Sequence, residues 1–95
     1  GVFCMANVKY LSEIEKYEII NINDGEKYSS LSNNDIIVDE NGDLRYLIIN
    51  LGSGKFSLFS QGDEYLEIAW EKVKRIGAKT IILDVEQDEI KKTKL

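Results

Sequence analysis

The sequence contains no proline, no histidine and only one cysteine, and each absence excludes a class of protein. Without histidine, the chain lacks imidazole metal ligands, Ser–His nucleophiles and the side chain best suited to titrate near neutral pH. A single cysteine, Cys4, excludes an internal disulfide and an all-cysteine zinc site. No histidine is available to activate this thiol, so we expect it to be incidental. Composition therefore removes several catalytic classes but does not name a function.

Cationic side chains are in the minority, with 12 against 17 acidic ones and a net charge of −5. This balance argues against a protein that binds the nucleic-acid backbone. The excess negative charge lies entirely in the first half of the chain, up to Leu47. It indicates either a solvated acidic face or a surface for a partner. With 95 residues, 43% of them hydrophobic, we expect one domain with a core but no large cavity.

Long apolar runs are also absent, so we expect no membrane insertion. Residues 1–8 lack the basic region and apolar stretch of a signal peptide, and we expect a disordered leader there. The apolar pattern stops at the other end, where residues 87–95 are predicted to form a flexible polar tail. Residues 9–86 would then form the domain, in a reducing, cytoplasmic setting.

Because proline is absent, turns must be made by glycine, asparagine and aspartate. The segments between these turns are short and rich in β-branched and aromatic residues, as is typical of strands. Six such segments occur, at residues 18–22, 27–31, 35–39, 44–51, 64–69 and 79–86. Trp70, Val73 and Ile76 recur at a spacing of three, which predicts one short helical turn near residues 70–76. The pattern favours a mainly β fold, a small, partly open β-barrel of about six strands.

A β-hairpin around the Asn41-Gly42 turn is the firmest local prediction, and two registers are open for it. In one, a two-residue turn pairs Val38 with Arg45 and Ile36 with Leu47. In the other, a three-residue loop ends at Gly42 in the left-handed conformation and pairs Val38 with Leu44 and Ile36 with Tyr46. We prefer the second register because it collects apolar side chains on one face of the hairpin.

Motifs for phosphate, calcium and acid–base chemistry all fail on inspection. The glycine-rich residues 52–55 lack a glycine upstream and a hydroxyl downstream that a phosphate-binding loop requires. The turns at Gly25 and Gly42 place isoleucines where a calcium loop requires carboxylates. Adjacent carboxylates such as Asp39 and Glu40 lie beside turns, where nothing separates their pKa values. We therefore predict no catalytic residue, no metal, no cofactor and no enzyme activity.

One connection is unexpectedly apolar, because large side chains lie between flanking glycines where loops are usually polar. These side chains either close an end of the barrel or form an exposed patch that contacts a partner. Carboxylates of the hairpin turn would then orient that partner. The candidate contact residues are the apolar ones of this connection, one following tyrosine and three hairpin carboxylates: Phe56, Leu58, Phe59, Tyr65, Asp39, Glu40 and Asp43.

Several blocks resemble the PRC-barrel domain and, more narrowly, the YlmC/YmxH family of small sporulation-associated proteins from spore-forming Gram-positive bacteria. The block containing Glu67-Ile68-Ala69-Trp70 is the most specific. The matching blocks lie at residues 11–14, 18–27, 36–44, 54–59, 64–77 and 80–85. One departure is that Tyr28-Ser29-Ser30 stands where the family pattern usually has a second glycine, which leaves the local bend of the strand open.

The resemblance implies a small, partly open β-barrel in a bacterial cytoplasm. PRC-barrels recur in photosynthetic reaction centres and in a ribosome-maturation factor, where they act as interaction modules rather than catalysts. By this analogy we expect a non-enzymatic module that binds a protein partner during sporulation. One alternative is a ribosome- or RNA-assembly adaptor. It would contact a basic ribosomal protein through the acidic first half of the chain, or RNA through Lys72, Lys74, Arg75 and Lys79. Another is a homo-oligomer that pairs exposed barrel edges.

Overall fold

The computed structural model describes residues 8–51 and 64–94, which contain two four-stranded sheets and one short helix. The helix α1 spans Leu11–Ile14, and the strands are β1 (Glu18–Asn21), β2 (Glu26–Ser30), β3 (Asp35–Val38), β4 (Leu44–Asn50), β5 (Glu64–Ala69), β6 (Val73–Ile76), β7 (Thr80–Leu83) and β8 (Lys91–Lys94). Short 3-10 turns lie at Leu31–Asn33, Trp70–Lys72 and Gln87–Glu89. The prediction of a mainly β fold is confirmed.

The first sheet has the strand order β2-β1-β7-β6, and the second has the order β3-β4-β5-β8. In the first sheet β1 and β7 run parallel, whereas the second sheet is antiparallel throughout. Within the described residues the two sheets do not close into one continuous barrel. This agrees with the partly open architecture that the sequence predicts.

Both sheets contribute alternate side chains to one hydrophobic core. Full burial of a branched apolar side chain stabilises the fold by roughly 1.5–3 kcal/mol, so this core dominates the folding energy. The core consists of Tyr17, Ile19, Leu31, Leu47, Ile49, Ile68, Ile81, Leu83 and Val85. Trp70, Val73 and Ile76 are partly buried and pack against it.

The β3–β4 hairpin combines features of both predicted registers. Gly42 has a φ of +87°, and Val38 pairs across the loop as the three-residue form requires, so the preferred loop is confirmed. Beyond the loop, however, Arg45 is an extra residue on β4, and Ile36 pairs with Leu47. Such a bulge twists the strand locally and changes the register by one residue. The shift lets Ile36 contact the core on the same face as Leu47.

Ser29 adopts a backbone conformation that favours glycine. Its φ of +70° is the only positive φ of a non-glycine residue among the described residues. The left-handed region costs a residue with a Cβ roughly 1–2 kcal/mol. The pairing of β1 with β2 is irregular at this point, and the Ser29 hydroxyl accepts a hydrogen bond from Asn33 Nδ2 at 2.7 Å. The strand therefore bends here without a glycine.

The helical turn predicted near residues 70–76 is confined to Trp70–Lys72, and the rest of that segment forms β6 instead. A bulge explains the misleading spacing of three. Val73 pairs with Leu83 and Ile76 pairs with Ile81, although β6 has one more residue than β7 between these pairs. Both side chains can therefore face the core despite being an odd number of residues apart.

The flexible tail predicted at residues 87–95 is wrong for its described part. After a 3-10 turn, β8 pairs with β5, with Thr93 opposite Tyr65. Ile90 also packs against the core. This strand contains three lysines and therefore lacks the apolar alternation by which a strand is predicted from sequence. An edge strand tolerates such charged side chains, whereas a central strand does not. The predicted leader lies outside the described residues except for Val8, which is exposed.

Candidate functional site

Asp39 organises the hairpin turn. Its Oδ1 accepts hydrogen bonds from the backbone N–H groups of Asn41 (2.9 Å) and Asp43 (3.0 Å), and its Oδ2 lies 3.5 Å from Arg45 Nη1. The N–H of Asp43, with smaller contributions from Asn41 and Arg45, holds the pKa of Asp39 below its ordinary value. Both carboxylate oxygens thus have partners within the hairpin. Glu40 and Asp43, by contrast, are exposed at the same turn.

Tyr65 lies at the opposite end of the second sheet from this turn. It pairs with Asn50, the last residue of β4, whereas the hairpin turn precedes the first residue of that strand. The length of β4 separates the two places by roughly 20 Å. Among the predicted contact residues that the structure describes, Tyr65 therefore lies apart from Asp39, Glu40 and Asp43. Phe56, Leu58 and Phe59 lie outside the described residues.

A groove of about 340 Å³ lies between α1 and the β3–β4 hairpin, and we call it the hairpin groove. Two carboxylates, those of Glu15 and Asp35, line it as well. Its apolar lining is Leu11, Leu31, Ile36, Val38 and Leu44. The buried Leu31 belongs to the core, whereas three of the others are largely exposed. The groove is therefore an apolar surface with acidic residues in its lining.

Hydrogen bonds fix the floor and walls of the hairpin groove. The N–H of Ser32 donates to the carbonyl of Glu15 at 2.8 Å, which ties the chain after α1 to the segment before β3. The Asn34 side chain donates to the carbonyl of Ser30 at 2.8 Å and accepts the N–H of Asn50 at 2.8 Å. Hydrogen bonds within the chain thus hold the segments that line the groove.

A second groove, of about 330 Å³, crosses the face of the second sheet that points away from the core. Ile37, Ile48, Tyr65 and Glu67 line it, together with Thr93. The buried Oγ1 of Thr93 has no hydrogen-bond partner in the described part of the chain. This groove is where the structure places Tyr65.

Four described residues have displaced pKa values, and each displacement has a local structural cause. Burial raises the pKa of Tyr28, and the nearby carboxylate of Asp24 raises it further. A hydrogen bond of 2.7 Å raises the pKa of Lys72 and lowers that of Glu89. The fourth is Asp39, described above. None of the four is among the lining residues of either groove, so they form no acid–base pair there.

The described residues provide neither a metal site nor a membrane-spanning helix. In residues 8–51 and 64–94, no group of three or more Cys, Asp or Glu side chains is placed to hold a metal ion. No helix in these two ranges has both the length and the apolar character needed to cross a membrane. The hairpin groove and the outer face of the second sheet are two candidate sites in the described structure.

The hairpin was predictable from the sequence, but the groove beside it was not. Apolar residues of an alternating hairpin are expected in the core, and burial cannot be assigned before the packing of the sheets is known. The sequence did contain one indication that part of the hairpin is exposed. Ile36, Ile37 and Val38 are consecutive, and a strand cannot turn three consecutive side chains towards one core.

Comparison with known proteins identifies the family. No curated protein and no solved structure matches the chain. A profile of the PRC-barrel domain, however, matches residues 6–90, which include α1, the hairpin and every described strand before β8. The match covers most of the chain and both sheets. The chain belongs to the PRC-barrel domain family.

Proposed function

We propose that this chain is a non-enzymatic protein-interaction module. The observation that carries the proposal is the exposed apolar surface of the hairpin groove, where Leu11, Val38 and Leu44 are 67%, 50% and 41% exposed. Grouped apolar side chains on a soluble protein commonly mark a surface that a partner covers. PRC-barrel domains are in general non-catalytic modules, which supports the same reading.

We further propose that the module acts in the cytoplasm of a spore-forming bacterium and belongs to the YlmC/YmxH family. This part rests on the sequence blocks that resemble that family, above all the one around Trp70. Deletion of the gene should lower the yield of heat-resistant spores without slowing vegetative growth. An unchanged spore yield would contradict a role in sporulation.

The proposed contact surface combines the hairpin groove with the exposed carboxylates of Glu40 and Asp43. Apolar anchors would supply most of the affinity, and the carboxylates would chiefly affect association rate and choice of partner. On sequence grounds, the apolar residues of the connection after β4 extend this surface, whereas Tyr65 lies apart from it in the second groove. Those connection residues are Phe56, Leu58 and Phe59.

Site-specific photo-cross-linking in sporulating cells tests the proposal. Benzoylphenylalanine is placed at Val38, at Phe59 or at Tyr65, and, as a control, at the exposed Lys27 on the edge strand β2. We expect a discrete adduct with another protein from Val38 and none from Lys27. If no contact position gives an adduct, the chain is not an interaction module of this kind.

The apolar connection is tested separately by the double substitution Phe56→Ser and Phe59→Ser. A folded variant that loses the adduct formed through Val38 would support the place of this connection in the contact surface. If the variant unfolds instead, these side chains belong to the core and leave the proposed surface.

A ribosome- or RNA-assembly adaptor is the second candidate. Its support is the edge strand β6, on which Lys74 and Arg75 are exposed, with the exposed Lys79 shortly after it. Lys72 is bonded to Glu89 at 2.7 Å and is less available for this role. Co-sedimentation with ribosomal particles at moderate salt would favour this candidate, and absence from those fractions would remove it.

A homo-oligomer that pairs sheet edges is the third candidate. The strands β2, β3, β6 and β8 lie at the edges of the two described sheets, and unpaired edges can associate with another chain. Sedimentation velocity at several protein concentrations measures this directly. A single monomeric species at all concentrations would exclude it.

A further inference from the structure

We infer that the hairpin groove receives a basic amphipathic helix of the partner protein. The inference rests on the proposed function and adds to it the chemistry of the partner. The groove has about 340 Å³ and lies along the surface, which suits a few side chains projecting from a partner better than an enclosed small molecule. An amphipathic helix presents such side chains from one face, one turn apart.

Apolar side chains are exposed on both walls of the groove. Leu11, on α1, is 67% exposed, and Val38 faces it from the hairpin beside its cross-strand partner Leu44. An apolar side chain inserted between the walls would contact α1 and the hairpin at once. The buried Leu31 forms part of the same lining, so the inserted side chain would also reach the core.

The charges around the groove select a cationic partner. Glu15 and Asp35 line it, and none of its described lining residues is cationic. The nearby Arg45 lies 3.5 Å from Asp39 and so is partly neutralised. Lysine or arginine side chains that flank the apolar face of a helix would meet these carboxylates, which also speeds association at low salt.

The edge of the second sheet favours a helix over an added strand at this place. The backbone N–H of Ile36 donates to the carboxylate of Asp35 at 2.8 Å, so a donor of the edge strand β3 is already occupied. The bulge at Arg45 also makes the hairpin irregular. Both features protect an edge against strand addition. A helix needs no such bonds, since its backbone groups bond within the helix.

An NMR titration of the ¹⁵N-labelled full chain tests the inference. The probe is a synthetic lysine–leucine peptide of about 18 residues, with leucines spaced by three and four so that they form one helical face. The control peptide has the same composition in scrambled order. We expect saturable shifts of the amides of Leu11, Ser32 and Val38, and at least about tenfold weaker binding of the scrambled peptide. Shifts that centre on β6, or equal binding of both peptides, would overturn the inference.

Substitutions test the two walls and the charge of the groove. Leu11→Ser combined with Val38→Ser should weaken peptide binding by about tenfold or more. Ile22→Ser is the matched control, because Ile22 is 57% exposed and does not line the groove, and it should leave binding unchanged. If the double variant unfolds, Leu11→Lys alone serves instead, since it adds a cation at an exposed position and should repel the peptide.

Neutralising one carboxylate of the groove tests separately whether charge contributes to the affinity for the peptide. Glu15→Gln should weaken binding at low salt by roughly threefold and make it less dependent on salt concentration. The control is Glu26→Gln on β2, which removes the same charge from an exposed site outside the groove. Equal effects of both substitutions would mean that only net charge attracts the peptide and that the groove does not recognise it.

The cross-link from Val38 separates this inference from the proposed function. Mass spectrometry of the adduct identifies the cross-linked segment of the partner. A segment with apolar residues spaced by three and four and flanked by lysine or arginine supports the inference. An acidic segment, or an adduct from Tyr65 but none from Val38, would overturn it while leaving the interaction module intact. No adduct at any position would remove the proposed function itself.

Discussion

The side-chain amide of Asn21 bonds the backbone of Val85 in both directions. Its Nδ2 donates to the carbonyl of Val85 at 3.0 Å, and its Oδ1 accepts the N–H of Val85 at 3.1 Å. Asn21 is fully buried at the end of β1, where it pairs in parallel with Leu83, the last residue of β7. The amide thus extends the contact between two strands past the point where their regular pairing stops.

Replacement of Asn21 by alanine should lower the free energy of unfolding by about 2–4 kcal/mol, because it leaves both backbone groups of Val85 unsatisfied and opens a small cavity. The measurement is urea denaturation followed by the fluorescence of Trp70, the only tryptophan. Asn23→Ala is the control, since Asn23 is exposed, and it should cost about 0.5 kcal/mol or less. If both variants lose the same free energy of unfolding, the buried amide of Asn21 stabilises the fold no more than an exposed asparagine does.

Ser29 holds a positive φ at an exposed position, so its substitutions isolate backbone strain from packing. Ser29→Val should lower the free energy of unfolding by about 1–2 kcal/mol, because a β-branched residue fits the left-handed region poorly. Ser29→Gly should not lower it, since glycine adopts this region freely. The two variants are compared by thermal and urea unfolding. A glycine variant less stable than the valine variant would contradict the role of backbone strain here.

Asp39 should make the stability of the protein depend on acid pH. Its folded-state pKa lies below its ordinary value of 3.8, chiefly because the N–H of Asp43 donates to it. The resulting stability is present above that ordinary value and is lost as the pH falls through the folded-state pKa. Between about pH 6 and about pH 2.5, the natural chain should therefore lose more stability than Asp39→Asn.

The control for this pH dependence is Glu40→Gln, which removes a charge from the same turn without touching the hydrogen bonds to Asp39. It should retain the acid sensitivity of the natural chain. If Asp39→Asn is as acid-sensitive as Glu40→Gln, the hydrogen bonds of the turn do not stabilise the carboxylate.

The C-terminal segment should contribute to stability. A chain that ends at Glu86 loses β8, the packing of Ile90 on the core and the bond between Lys72 and Glu89. We expect it to unfold at lower urea, with a loss of roughly 2 kcal/mol or more. In the full chain, Ile90→Ser should account for about 1–2 kcal/mol of this loss.

The matched control for the C-terminal segment is Lys92→Ala. Its ion pair with Glu64 is 3.4 Å long and largely exposed, so it should contribute less than about 0.5 kcal/mol. Identical urea midpoints for the shortened and full chains would restore the view that residues 87–95 are a flexible tail.

Strand positions were predictable wherever the local pattern was regular. β5 matches its predicted range, Glu64–Ala69, residue for residue, and the left-handed Gly42 was expected from the turn chemistry of the hairpin. β6 was not predictable, because a bulge gave its apolar residues a helical spacing. β8 was missed because its lysines are compatible with a solvated tail as much as with an edge strand.

The contact residues proposed from sequence stay predictions. Asp39 was correctly located beside the hairpin turn, but its carboxylate bonds to that turn, which exposed charge alone does not reveal. Nothing in the sequence distinguishes Leu11 and Val38 from residues of the core. Their exposure depends on how α1 and the hairpin sit against the two sheets.

Local sequence was sufficient for the class of fold, the hairpin and the absence of familiar catalytic motifs, because turn residues and alternation act over a few neighbouring positions. Long-range packing alone decided which strands became edges, that Asn21 would be buried against Val85, and that an apolar groove would remain beside the hairpin. Each of these outcomes joins residues far apart in the chain, and their partners are set only when the two sheets assemble around one core.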